Sequence, residues 1–400
     1  MSLTDAATKI ADRLRTMEYA EIYSHHDADG IAAAAILAIA LTRADIAFRL
    51  RFLPHLTRKD IERPEISIAC DMGAALPDIP ESVIIIDHHV PYAKNTLHIN
   101  PRLDGLDGEA ELSAAGCAYL VAVALNRDNR DLAGLVMAGI IGDNQEVVGM
   151  NQTIIGEAIG NNLITPGKGI LLPGRTTREQ IEIASLPYLP GLSGNTELAE
   201  KIQIMCQNMT SDEAYAGILI SELIARSSAT FESLLRVYGD SWKLQRETLQ
   251  DSCALAAVLD ACGKSGRADL GFAIAAGDAT RIDEAWDVTA AFRKHIIENA
   301  GSAKELAPRV YEVPDYTAAS DVADIFAAAE NKPVVVVAKG PEYLKVSCRA
   351  PRGYDVNFEQ FLKTSAETFG GTGGGHMTRA GGELPLACYD AFLKSIPEFA

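Results

Sequence analysis

Val83-Ile84-Ile85-Ile86-Asp87-His88-His89 is an apolar run of strand length that ends in one carboxylate and two imidazoles. Pro91, just beyond, prevents the strand from continuing normally, so the polar groups sit at its C-terminal end. In an open α/β sheet that edge binds ligands, because the strand ends and the loops after them form a crevice. A polar surface turn would read the same way in isolation. Three other strand-like or helical runs in the first 150 residues end in the same chemistry.

Outward from this stretch, residues 3–19 show the pattern of an amphipathic helix, and Ala20–Ser24 that of a short strand leading into His25-His26-Asp27-Ala28-Asp29-Gly30. Ile31–Leu41 is almost wholly apolar and rich in Ala, as expected of a helix packed on a sheet. Ile46–Leu53 and Ile66–Cys70 read as strands, the second ending in Asp71-Met72-Gly73. Ser113–Leu125 and Leu132–Ile141 are helical in pattern, and Gly142-Asp143-Asn144 follows. Strands alternating with helices predict an α/β fold with a mostly parallel, doubly wound sheet.

After Lys332-Pro333, strands are expected at Val334–Ala338 and Tyr343–Arg349, a helix at Phe358–Thr368, and then a flexible run, Gly370-Gly371-Thr372-Gly373-Gly374-Gly375-His376. This divides the chain into a catalytic α/β domain at 1–160, a mainly helical connecting region at 161–325, and a smaller α/β domain at 326–400 across a cleft. Asp260 to Arg267 resembles a phosphate loop but lacks the G-x-x-x-x-G-K-[ST] spacing, which excludes a nucleoside-triphosphatase reading.

The formal net charge of -18 argues against a general electrostatic nucleic-acid binder. Residues 331–400 carry five Lys and three Arg against two Asp and five Glu, which leaves -19 on the rest of the chain. Contact with a polyanion should therefore lean on the C-terminal part and on bound metal. The seven cysteines are scattered and never spaced C-x-x-C, a pattern of free thiols in a reducing, cytoplasmic setting. Neither a membrane span nor a secretory signal is read from the sequence.

The polar ends of the elements collect His25, Asp27, Asp29, Asp71, Asp87, His88, His89 and Asp143. Alternate residues of an extended segment point the same way, so His25, Asp27 and Asp29 can face one site. Carboxylates crowded this closely resist ionisation unless cations hold them. Mixed carboxylate and imidazole donors suit Mn²⁺ or a related divalent ion such as Mg²⁺ or Co²⁺, and there are enough ligands for two ions sharing a carboxylate. Paired ions suit displacement at phosphorus, so phosphoester or phosphoanhydride hydrolysis is the expected reaction.

These motifs resemble those of the DHH phosphoesterase superfamily: Ser24–Gly30, Asp71, the triplet Asp87-His88-His89, and Gly139–Asp143. Asn100-Pro101 and Ser113-Ala114-Ala115-Gly116 are similar to the segment after the triplet, and Gly373-Gly374-Gly375-His376 resembles the signature of the associated DHHA1 domain. The resemblance implies one metal at His25, Asp27 and Asp71, and a second at Asp29, Asp71, His88 and Asp143. It further implies that His89 contacts the scissile phosphate and that Asp87 orients the imidazoles. Arg349, Gly373, Gly374, Gly375 and His376 would bind substrate, the glycines by letting backbone N–H groups approach. Some superfamily members carry Asp where this chain has His25, which changes the charge of the first ligand set.

The long insertion between Asp143 and Val334 carries Pro190-Gly191-Leu192-Ser193-Gly194 and Asp260 to Arg267, stretches that resemble those of archaeal-type RecJ-like nucleases, and it favours an exonuclease on single-stranded DNA or RNA. Aromatic residues make up only 6% of the chain, with Tyr343, Tyr354 and Phe358 the stacking candidates nearest the glycine run. A phosphodiesterase for short oligonucleotides or nucleotides is the alternative. A non-catalytic replication scaffold of the same fold is another, and an active nuclease could also dock on replication or repair proteins.

Overall fold

The computed structural model describes residues 2–92, 95–209, 211–226, 229–351 and 353–397. The chain forms two compact units. One comprises Met1–Lys168 with Asp240–Thr289, the other Gly169–Gly239 with Ala290–Ala400. The expected connecting region, 161–325, is thus shared between both.

The first unit is built on five strands: β1 (Tyr19–His25), β2 (Ala47–Leu53), β3 (Ser67–Cys70), β4 (Ile84–Ile86) and β5 (His98–Ile99). All pair in parallel, in the order β2-β1-β3-β4-β5. This is the α/β sheet read from the sequence. The helix Ala28–Arg43, buried along most of its length, packs on β1 and β2 and against the helices Ala114–Leu125 and Ala133–Gly142. Its run of alanines permits that close packing. On another side Tyr23, Ala69, Val83 and Ile85 join Ile61, Met72, Ala74 and Ile79 in a second apolar cluster.

The strand order matters for function. Chain direction around the sheet reverses between β1 and β3, and ligands in open α/β sheets bind at such a switch point, beyond the strands' carboxyl ends. His25 closes β1, Asp71 follows β3 directly, and Asp87-His88-His89 follows β4.

β6 (Ile164–Ile170) and β7 (Tyr238–Leu244) pair where the chain passes between units. The second unit contains β8 (Lys304–Ala307), β9 (Val310–Glu312), β10 (Val334–Lys339), β11 (Tyr343–Arg349), β12 (Thr372–Gly375) and β13 (Arg379–Pro385), in the order β12-β13-β11-β10-β9-β8. β9 and β10 run parallel and the other pairs antiparallel. Alternation divides the valines of β10. Val334 and Val336 meet the helix Ala319–Glu330 on one face, while Val335 and Val337 join Phe358, Leu362 and Phe392 on the other.

Several expectations are corrected. The first helix ends at Leu14, and residues 15–18 turn into β1. The glycine run is not a flexible loop throughout, because Thr372–Gly375 is a strand paired with β13. The Asp260–Arg267 run lies largely in the helix Ser252–Lys264, where Asp260 and Lys264 form an ion pair at 3.0 Å. Phe358 is fully buried, so it is a core residue and cannot stack on a base. All seven cysteines are free. No helix among the described residues is long and apolar enough to cross a membrane.

Candidate metal centre

Asp71 is the hub. It is buried, its backbone lies in the left-handed region at φ 56°, and its amide donates to the Ile86 carbonyl at 2.9 Å. That conformation is uncommon outside glycine, though Asp and Asn adopt it more readily than most residues. Asp71 Oδ2 lies 3.4 Å from His25 Nδ1, and its Oδ1 lies 3.3 Å from His88 Nε2. Oδ1 accepts no hydrogen bond among the described residues, although buried carboxylates are ordinarily satisfied. An anionic oxygen so placed is suited to a cation.

Three sets of donor atoms each lie within 4.8 Å of one another: His25, Asp27 and Asp71; Asp29, His88 and Asp143; and Asp71, Asp87, His88 and His89. Every ligand candidate read from the sequence falls in at least one of them. Asp27 caps the helix Ala28–Arg43, accepting from the Gly30 amide at 3.0 Å, and turns its other oxygen to His25 Nδ1 at 2.8 Å. Asp143 follows the helix Ala133–Gly142, with Oδ2 3.2 Å from His88 Nε2.

Asp29 is more heavily engaged than its motif suggests. Its oxygens accept from the amides of Ala114 and Ala115, at 2.7 and 2.9 Å, at the N-terminus of the helix Ala114–Leu125. The donor end of that helix stabilises a carboxylate. Oδ2 stands 4.0 Å from His88 Nε2, so Asp29 can reach a shared ion only through lone pairs beyond those bonds.

The imidazoles are oriented from behind. His88 Nδ1 lies 2.6 Å from the Gly108 carbonyl, which puts a proton on Nδ1 and turns Nε2 toward the carboxylates. Asp87 accepts from the amides of Ala74, His88 and His89 and pairs with His89 Nδ1 at 2.8 Å. Its place is to hold the other members of its triplet. The Gly108 carbonyl left no side-chain signal in the sequence.

Crowding of buried carboxylates and imidazoles shifts the ionisation of most of these groups. Burial, then Asp71, pushes Asp29 up to about 7. Burial and Asp29 likewise raise Asp143. Burial alone would lower His25 and His88, but their carboxylate neighbours raise both well above the ordinary imidazole range. Burial opposes ionisation of Asp87, yet the adjacent imidazoles hold it below the usual carboxylate range.

In the second unit Arg349 is not an unengaged cation. Its Nε pairs with Asp324 at 2.9 Å, and its Nη1 donates to the carbonyls of Cys348 and Ala380. Arg379, absent from the sequence reading, pairs with the same Asp324 at 2.7 Å. The three glycines differ in role. A Cβ on Gly373 would meet the Leu362 carbonyl oxygen at 2.5 Å, and Gly375 has φ +133°, whereas Gly374 faces open space. Two of the three are therefore required by packing and backbone form. His376 closes the turn between β12 and β13, its amide donating to Arg379 O at 2.7 Å.

The DHH family N-terminal domain model matches residues 21–140, and the DHHA1 domain model matches residues 308–400. The chain belongs to the DHH/DHHA1 superfamily. An uncharacterized protein of Methanocaldococcus jannaschii is 27% identical over 95% of this chain and 93% of its own. The single-stranded-DNA-specific exonuclease RecJ of Thermus thermophilus is 26% identical over 58% of this chain, but that alignment covers only 39% of RecJ. The crystal structure of RecJ with Mn²⁺ from the same organism superposes with a TM-score of 0.60 at 19% identity, covering 98% of this chain and 53% of that one. CDC45 from Entamoeba histolytica shares the fold as well, with a TM-score of 0.62 at 13% identity over 98% of this chain and 97% of CDC45.

Proposed function

We propose that this chain is a divalent-metal-dependent phosphodiesterase that trims single-stranded DNA or RNA from an end. The observation that carries the reading is the pair of donor sets meeting at Asp71, with His88 joining Asp71 to Asp29 and Asp143. Likeness to RecJ in sequence and fold supports the nucleic-acid substrate.

His25, Asp27 and Asp71 would hold one ion, and Asp29, Asp71, His88 and Asp143 the other, with Mn²⁺, Mg²⁺ and Co²⁺ all compatible with these donors. Bound ions supply an activated water and neutralise charge that develops on the phosphoryl oxygens. The chain's own residues do the positioning. Gly108 fixes the His88 tautomer, and Asp87 fixes His89, which would contact the scissile phosphate. In the second unit Arg349 and His376, beside the open Gly374, would bind a substrate phosphate.

The test is digestion of end-labelled single-stranded DNA and RNA of several lengths, with Mn²⁺, Mg²⁺, Co²⁺ or chelator, beside Asp87→Ala. Metal-dependent trimming of long strands, lost in the variant, is the expected result. Cleavage confined to dimers through pentamers would replace this reading with short-oligonucleotide turnover. Metal binding without hydrolysis of any substrate would favour the non-catalytic scaffold reading.

A further inference from the structure

Arg349 and Arg379 are directly opposed across β11 and β13, and their guanidinium groups converge on one carboxylate. Asp324, on the helix Ala319–Glu330, takes Arg349 Nε at 2.9 Å and Arg379 Nη1 and Nη2 at 2.7 and 3.1 Å. Two cations thus share one carboxylate. The cations are unequal: the Arg349 side chain is 12% exposed and tied to two carbonyls, while that of Arg379 is 48% exposed.

The ground beside Arg379 is open. Side chains alternate along β13, so Arg379, Gly381 and Glu383 share a face, and Gly374 is paired with Gly381 on it. A Cβ on Gly374 would touch nothing within 4 Å, and one on Gly381 would reach only the Val346 carbonyl oxygen at 3.7 Å. The opposite face is closed, since Gly373 abuts Leu362 of the helix Phe358–Phe369. An exposed fork of N–H donors thus borders a floor without side chains. Guanidinium forks match carboxylate and phosphate geometry alike.

We infer that Arg379 is a second phosphate contact, for the nucleotide next to the one held by Arg349 and His376. Asp324 is the internal anion that keeps its guanidinium poised until a phosphate displaces it. The inference deepens the reading of the chain as a nuclease and rests on it. It makes the second unit selective for strands with consecutive phosphates over a single phosphodiester.

The experiment is equilibrium binding of a fluorescent single-stranded 12-mer and of a dinucleotide to the full chain in chelator, over a salt series. Wild type, Arg379→Ala, Arg379→Lys and Asp324→Asn are compared, with thermal unfolding of each to confirm folding. Arg379→Ala should weaken 12-mer binding about tenfold and reduce the salt slope by about one, while dinucleotide binding changes little. Arg379→Lys should recover part of the loss, and Asp324→Asn should tighten the 12-mer. Equal 12-mer affinity in wild type and Arg379→Ala, or equal losses for both ligands, would overturn the inference and reduce the three residues to a structural ion pair. Cleavage assays on the wild type separate the two levels. Cleavage with an unaffected Arg379→Ala sinks only the inference, binding without cleavage sinks only the nuclease reading, and neither binding nor cleavage sinks both.

Discussion

At the scale of single residues, the candidate metal centre depends on atoms that are absent as much as on the ligand candidates. A Cβ built on Gly139 would stand 2.1 Å from Asp29 Oδ1 and 2.8 Å from the Ala115 Cβ, both in the buried core. Neither neighbour can give way, because Asp29 is pinned by two amides. Gly139→Ala should therefore displace the Asp29 carboxylate and weaken Mn²⁺ binding at least about tenfold, as expected when a ligand is mispositioned. Titration calorimetry checks it, and an unchanged affinity would show that Asp29 is not a ligand. Asp87→Asn is the complementary case. Asp87 accepts four hydrogen bonds, and an amide would point its NH₂ at one of those donors. A loss of about 2–4 kcal/mol in urea unfolding without metal is expected, reflecting a buried donor left unsatisfied. A variant as stable as wild type would mean that the triplet's own geometry does not depend on this carboxylate. The ligand candidates were legible in the sequence because Asp and His at strand ends stand out against apolar runs. Asp324 and Arg379 were not, since a helix-borne Asp and a lone Arg carry no pattern until register opposes Arg379 to Arg349.

Among elements, legibility followed length and periodicity. β1, β2, β3, β4, β10 and β11 lie within a residue or so of their sequence-based bounds, because apolar runs and alternation mark them. β5 spans two residues, too short to show a period, and β12 is nearly all glycine, which reads as flexible until a neighbour supplies the ladder. The helix Ser252–Lys264 shows what periodicity cannot convey. It lies in the span expected to be a mainly helical connecting region, yet it belongs to the first unit, where Gly263 lies against His26, between His25 and Asp27. A Cβ at Gly263 would fall 1.5 Å from the His26 carbonyl oxygen. Backbone cannot yield to that overlap without moving the helix or the loop. Gly263→Ala should raise amide exchange across residues 25–30 and lower metal affinity, with the second unit's amides unaffected. Unchanged protection in 25–30 would show that the helix is not a buttress of the metal loop.

For the whole molecule, the consequence is that the first unit is completed only when residues 240–289 return after the excursion through 169–239. No local sequence signal reports such a return, because it is a property of contacts between segments far apart in the chain. Glu247, in the returning segment, is placed to report on its docking. Its carboxylate is buried against Gly134, where the missing Cβ makes room for it, and neither oxygen accepts a hydrogen bond among the described residues. Burial pushes Glu247 from the ordinary 4.5 up to about 7, against the opposing pull of its own backbone amide and then of Arg246, whose guanidinium is 3.9 Å away. The folded state therefore holds this proton more tightly than the unfolded chain does. The associated stability is fully present below about pH 4.5 and is lost as pH rises through 7, a difference of about 3 kcal/mol by pH 8. Asp29 titrates over part of the same range, so the measurement is the difference between wild type and Glu247→Gln in urea unfolding from pH 5 to 8, without metal. Glu247→Gln keeps the shape and carries no proton to lose. Its stability relative to wild type should climb from pH 5 and level off above about pH 7. Two parallel curves would mean that water or a rearranged side chain solvates the carboxylate, and that docking of residues 240–289 is indifferent to its charge.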